Sequence, residues 1–325
     1  MYLPFGAALA ALAAGAAGIV LVYVLLSGEP GPTRTASTTT PTTVAVQPSS
    51  PVLPGGRIAT PDEPGFPSPP PGALVLSREA GDHALAIALR SGLVRVSVLS
   101  PYGGGQRGMK VSLRLANGDS AGTSVCGAGC YQAKVDGVPS SPVTVLLDGT
   151  AYRFAFPKLP LADGTAIVDK AAATWNALRS LVWHERLASS PTNVIHTVYT
   201  AVAPNELAYD VEGRSAAVII GGKRWDRPTP TAAWVSSVQD PQVRQPQPFW
   251  QLVSDARVLG TGRLDGHAVW IVSFFDPVTP AWFEAWIDRR SDRTLQLEMI
   301  AASHFMHDVY GPFDSPIELE PPSDQ

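Results

Sequence analysis

The chain has 325 residues, a formal net charge of −4, only 16% charged side chains, 31 prolines and two cysteines. That length suits two domains. The near-neutral balance excludes the concentrated basic face of a nucleic-acid binder, and two cysteines exclude a disulfide-rich scaffold or a four-cysteine zinc site.

Residues 4–27 hold no charged side chain, and about 20 apolar residues span a hydrocarbon core. Residues 1–28 therefore read as a single transmembrane anchor. A cleaved signal peptide is the rival, disfavoured by the length of the run and by the poor cleavage site at Leu25-Leu26-Ser27-Gly28. No Lys or Arg precedes the span, so the positive-inside rule gives little on orientation. Residues 29–72 contain 12 prolines and 12 serines or threonines. Such a segment cannot bury enough apolar surface to offset its ordering entropy, and it reads as a disordered, semi-rigid stalk.

Short alternating or β-branched runs follow at 84–88, 93–99, 110–115, 131–135, 143–147 and 152–156. Turn signals such as Asn117-Gly118, Asp136-Gly137 and Asp148-Gly149 separate them. That spacing predicts an immunoglobulin-like β-sandwich over 73–157. Two motifs in this region fail their structural context. Gly118-Asp-Ser120-Ala-Gly122 matches the serine-hydrolase string, but the sequence after it cannot start a helix, so it reads as a turn. Gly103-x-Gly105-x-x-Gly108 matches a dinucleotide fingerprint, yet a strand pattern follows, so it reads as a loop. Cys126-Gly-Ala-Gly-Cys130 sits at a hairpin end where its glycines let the thiols approach. The pair reads as a structural disulfide in an oxidising compartment, with a soft-metal thiolate pair as the alternative.

Residues 158–325 form the second domain. Ile167, Ala171, Thr174, Trp175 and Leu178 recur at helical spacing and predict a helix over 165–181. Strands are predicted at 193–202, 207–211, 216–220, 269–275, 282–288 and 294–301, and all eight tryptophans lie in this half. One helix and a long meander, with no strand–helix–strand alternation, predict a curved antiparallel half-barrel over the helix and exclude a parallel nucleotide-binding sheet. The fold class is mainly β. The sheet over the helix either packs solid or encloses an apolar cavity, which is the default ligand site. Candidate cavity residues are Ala171, Trp175, Trp270, Phe274, Trp282 and Trp286, with 269–275 and 282–288 supplying much of the wall. His304-Phe-Met306-His307 holds the side chains best suited to copper, but on a strand His304 and Met306 share one face and His307 the other.

The segments Gly221-Gly-Lys-Arg-Trp-Asp-Arg227, Val269-Trp-Ile-Val-Ser-Phe-Phe-Asp-Pro277, Thr279-Pro-Ala-Trp-Phe-Glu-Ala-Trp-Ile-Asp288 and His304-Phe-Met-His-Asp-Val-Tyr-Gly-Pro-Phe313 resemble the extracytoplasmic tail of bacterial copper-resistance proteins of the CopC–CopD type. There a YtkA-like immunoglobulin-type domain, often with a Cys-Gly-x-Gly-Cys-Tyr element as at Cys126 to Tyr131, precedes a domain similar to LolA and LppX. The resemblance covers roughly residues 74–322. It implies a cell-membrane location with the C-terminal domains extracytoplasmic, and a lipid or lipoprotein held between half-barrel and helix. The chain departs from that family in having one span and no histidine at the start of its first domain, so no copper ligand carries over. The expected function is non-enzymatic binding of an apolar ligand or an envelope partner, with no cofactor. A copper-handling or envelope-stress-sensing accessory, partnered with a copper-transport protein, is the alternative. No convergent acid, base and nucleophile supports an enzyme.

Overall fold

The computed structural model describes residues 52–53, 57–58, 67–278 and 280–323. The membrane span expected over 4–27 and most of the stalk expected over 29–72 lie outside the described residues. Among the described residues, no helix is long and apolar enough to cross a membrane. The strands β1 (Val52–Leu53) and β2 (Arg57–Ile58) form a two-residue antiparallel pair.

Two antiparallel sheets make the first packed unit. One runs in the order β3 (Leu74–Ala80), β4 (His83–Arg90), β5 (Leu93–Leu99), β9 (Cys130–Lys134), β8 (Ser124–Gly127). The other runs β11 (Thr150–Phe154), β10 (Val143–Leu147), β6 (Val111–Arg114), β7 (Ser120–Gly122). The expected strands occur here with ends displaced by a residue or two, and β3, β7 and β8 are additional. Alternation sends Leu85, Ile87, Leu89, Val94, Val96 and Val98 inward against Leu113, Val143, Val145 and Phe154. Ser120 opens β7 and is exposed, and β6 follows the Gly103–Gly108 loop, so neither motif has the helix its chemistry requires.

Cys126 and Cys130 form a disulfide, with Cα atoms 5.0 Å apart, across the turn joining β8 and β9. The bridge closes so short a loop that replacing both cysteines with alanine should lower stability by about 2 kcal/mol or less, read as a denaturation midpoint. The neighbouring turn is tighter. A Cβ at Gly129 (φ +63°) would lie 2.3 Å from the Val98 carbonyl oxygen, and one at Gly105 would lie 2.2 Å from that of Ala128. Gly129→Ala should therefore cost at least about 1–3 kcal/mol, whereas Gly104→Ala, which meets open space, should be near neutral in the same melt.

The second unit is one eleven-stranded antiparallel sheet with a single described helix, α1 (Thr165–Asn176). The chain lays down β12 (Ser180–Ser190), β13 (Asn193–Val202), β14 (Glu206–Val211), β15 (Ala216–Ile220), β16 (Lys223–Arg227) and β17 (Val235–Val238) as a meander toward one edge. It then crosses to the far edge and returns through β18 (Ser254–Leu264), β19 (His267–Asp276), β20 (Ala281–Asp288), β21 (Thr294–Ala301) and β22 (His304–Phe313). The last strand pairs with the first, β22 beside β12. An open sheet this wide curls, and its inner face wraps a core holding Val168, Trp175, Trp183, Phe274 and Phe283.

Helix α1 stops at Asn176 rather than at 181. The bonds Ala177 N–H to Thr174 O and Leu178 N–H to Trp175 O tighten its last turn. Ser180 is already in a strand, where its hydroxyl donates to the Ser315 carbonyl at 2.7 Å. Leu181 fits helical spacing yet reaches the same core from β12.

The two units pack against each other. Strand β4 is buried on both faces, large residues toward the sandwich core and Ala84, Ala86 and Ala88 toward the long sheet. The small alanines allow close approach to Phe275, Trp282 and Phe305 on the sheet's outer face. Beside this apolar patch a polar row crosses seven strands in register: Arg257, Ser273, Glu284, Glu298, His307, Arg186 and His196. Glu79 of β3 meets Arg186 at 3.5 Å, and Gly72 N–H donates to Asp255 Oδ1 at 2.6 Å. Burial, with a contribution from the Glu298 charge, pushes Glu284 up to about 7.

Candidate functional site

The crossing from β17 to β18 has to traverse the inner side of the sheet, and residues 244–253 of that crossing roof a cavity of about 760 Å³. Its walls are α1, the inner face of β12 to β14 and this crossing segment. The floor is Trp183 and Tyr199, the middle members of an aromatic row set by strand register, in which Tyr310, Trp183, Tyr199 and Tyr209 are successive cross-strand partners. Trp183 stacks on Tyr199 with centroids 4.6 Å apart and planes 6° from parallel. Trp175 joins wall to roof through edge-on contacts with Tyr310 (4.8 Å), Trp250 (5.7 Å) and Phe249 (6.2 Å).

Polar contacts pin the roof at both ends. The buried Asp276 carboxylate accepts from Gln251 N–H at 2.8 Å and from Val278 N–H at 2.9 Å. At the other end Gln245 N–H donates to the Pro204 carbonyl at 3.1 Å, and the Asn205 side-chain amide to Gln242 Oε1 at 2.9 Å. The cavity is amphipathic. Its rim carries the amides of Asn176, Gln247 and Gln251 and the charges of Asp169 and Arg244.

The helix presents two stripes. Val168, Ala171 and Trp175 are buried in the core, whereas Thr165, Asp169, Ala172 and Asn176 face the cavity one turn apart. Of the residues expected to line the site, Trp175 does so. Ala171 is 1% exposed and borders a void of about 10 Å³, which has no room for an apolar ligand. Phe274 backs the roof from below, edge-on to Trp250 at 5.2 Å and stacked on Phe283 at 4.9 Å. Trp270 packs at the margin of the core under the Arg289 guanidinium, 4.4 Å from its ring centroid.

Trp282 and Trp286 do not line the cavity. Strand alternation puts both on the outer face, and Trp282 is buried against the sandwich. The expected walls at 269–275 and 282–288 are therefore replaced by β12, β13 and the roof. Trp183, Tyr199, Phe249, Trp250 and Arg244 are the lining residues that sequence reasoning missed. Period-two alternation of Leu181, Trp183, Glu185 and Leu187 was the available signal.

Next to the aromatic row lies a buried acidic pair. Glu185 and Asp308, 4% and 0% exposed, are direct cross-strand partners on the inner face. Tyr199 donates to Glu185 Oε1 at 3.3 Å and Tyr310 to Asp308 Oδ2 at 2.6 Å. Asp308 Oδ1, Thr197 Oγ1 and Trp183 Nε1 are buried with no hydrogen-bond partner. Burial pushes Glu185 up to about 7, and burial with the Glu185 charge beside it drives Asp308 well above the usual carboxylate range.

The copper candidates do not converge. His304 and Met306 are buried on the inner face, and His307 lies in the outer polar row. Burial pushes His304 down to about 3, so it is neutral at physiological pH. Among the described residues no group of three or more His, Cys, Asp or Glu is placed to hold a metal ion.

No family model matches the chain, and no curated protein matches it. Solved structures to which it is similar include LprF from Mycobacterium bovis, at 10% identity over 49% of this chain and 97% of that one, with a TM-score of 0.35. The Mycobacterium tuberculosis lipoprotein LppX matches at 13% identity over 48% and 97%, with a TM-score of 0.32. A LolA-superfamily protein from Nitrosomonas europaea matches at 11% identity over 47% and 93%, with a TM-score of 0.23.

Proposed function

We propose that this is a non-enzymatic, membrane-tethered extracytoplasmic protein that holds an apolar ligand beneath the 244–253 roof. Residues 1–28 anchor the chain, 29–72 form the stalk, 73–157 an immunoglobulin-like sandwich, and 158–325 a LolA/LppX-like ligand-binding domain. The observation that carries this reading is the cavity of about 760 Å³ with an aromatic floor and a polar rim. Its size falls within the ~300–1,000 Å³ of small-molecule sites, and it joins apolar walls to a few polar groups in the usual way. The Cys126–Cys130 bridge supports an oxidising compartment.

The test uses two neighbouring alanines and an environment-sensitive apolar dye such as anilinonaphthalene sulfonate. Ala172→Phe fills the cavity and should weaken dye binding at least tenfold with little change in melting midpoint. Ala171→Phe instead overpacks a filled core and should cost about 1–3 kcal/mol. Equal dye binding by wild type and Ala172→Phe, or none by wild type, would remove this function.

A further inference from the structure

We infer that the cavity takes one single-chain amphiphile with an anionic headgroup, its tail on the Trp183–Tyr199 floor and its head held at the rim by Arg244. The inference rests on the ligand-binding reading above and adds to it the size and charge of the ligand.

Size comes from volume. A cavity of about 760 Å³ lies within the ~300–1,000 Å³ of sites that enclose one small ligand. One long acyl chain with its headgroup fits that space. A two-chain lipid or a three-chain lipoprotein anchor exceeds it. Trp183 and Tyr199, stacked on each other, both line the cavity and give an apolar chain aromatic contacts along its floor.

Charge comes from the rim. Only two of the cavity's lining residues are charged, Arg244 on the roof and Asp169 on α1. Among the described residues they form no ion pair with each other or with any neighbour. Arg244 is exposed, makes no side-chain hydrogen bond among the described residues and presents five N–H donors to a cavity that Gln247 and Gln251 also line. A carboxylate or phosphate there would gain charge-assisted, two-pronged hydrogen bonds. Asp169 opposes an anion from the other wall, which gives the two charges opposite and separable effects.

The experiment measures binding of three probes of equal chain length to the full chain by calorimetry: hexadecanoate, hexadecanol and hexadecyltrimethylammonium. Hexadecanoate should bind tightest, with one site per chain. Arg244→Gln should weaken hexadecanoate about tenfold or more, Asp169→Asn should strengthen it, and neither should move hexadecanol. A phosphatidate with two hexadecanoyl chains should fail to displace it.

Tightest binding of the ammonium probe, with loss on Asp169→Asn, would overturn the charge assignment. Displacement by the two-chain lipid at equal concentration would overturn the size assignment. Binding of all three probes without dependence on either charge would sink this inference and leave the function standing. Failure of every probe to bind would remove both.

Discussion

Replacing Trp175 with alanine should lower stability by about 3–5 kcal/mol, the usual cost of deleting a buried tryptophan. Its ring touches Phe249, Trp250 and Tyr310 at once, so it holds α1, the roof and β22 together. For a domain with a total stability of about 5–15 kcal/mol that is a large share. The cavity loses its roof contact in the same step, so dye binding should fall with stability. Trp234→Ala is the internal control. That ring is half-buried under the Arg227 guanidinium at 4.9 Å and should cost under about 1 kcal/mol. Denaturant unfolding of both variants separates the cases, and equal losses would contradict the role given to Trp175.

Stability should fall as pH rises from about 4.5 to 7, and Glu185→Gln should remove much of that fall. Glu185 titrates near 7 in the folded chain, against about 4.5 when unfolded. Across that interval the folded state binds more protons, which makes the slope of stability against pH negative. Glu284, Glu298 and Asp308 are raised as well and act with the same sign. A displacement from 4.5 to about 7 corresponds to something on the order of 3 kcal/mol. Glu185→Gln should therefore be more stable than wild type at pH 8 and about equal to it at pH 4. His304 works the other way: its depressed value means that stability is lost as pH falls from 6.5 toward 3. His304→Gln should consequently change the acid limb alone. Midpoints in urea at pH 4, 6 and 8 check all three, and a Glu185→Gln curve parallel to wild type would contradict the buried acidic pair as the cause.

How much of this was legible in the sequence depended on how regular each element is. Asn193–Val202, Ala216–Ile220 and Thr294–Ala301 are continuous β-rich runs and were readable to the residue. Strand β12 was hidden because Glu185, a buried carboxylate hydrogen-bonded by Tyr199, interrupts its apolar face and because Leu181 also suits a helix. Strand β18 was hidden by Gly260, Gly262 and two register shifts.

One helix under a curved sheet left a solid core and a cavity as alternative readings of the sequence, and neither the cavity's existence nor its location was legible there. Its location depends on the chain crossing from β17 to β18 over the inner face, a long-range choice that no local pattern encodes. Trp282 illustrates the same limit. Its two-residue spacing from Glu284 fixes a shared face with Trp286 but cannot say which face is inner. Here the outer face is covered by the alanine side of β4, so a fully buried tryptophan marks an interface between packed units rather than a ligand wall.

Native mass spectrometry of the full chain tests the central claim most directly. Wild type should carry one added mass consistent with a single-chain amphiphile, and Ala172→Phe should lose it at an unchanged melting midpoint. Wild-type protein of bare chain mass even after incubation with hexadecanoate, or an adduct kept equally by Ala172→Phe, would contradict a ligand bound beneath the 244–253 roof.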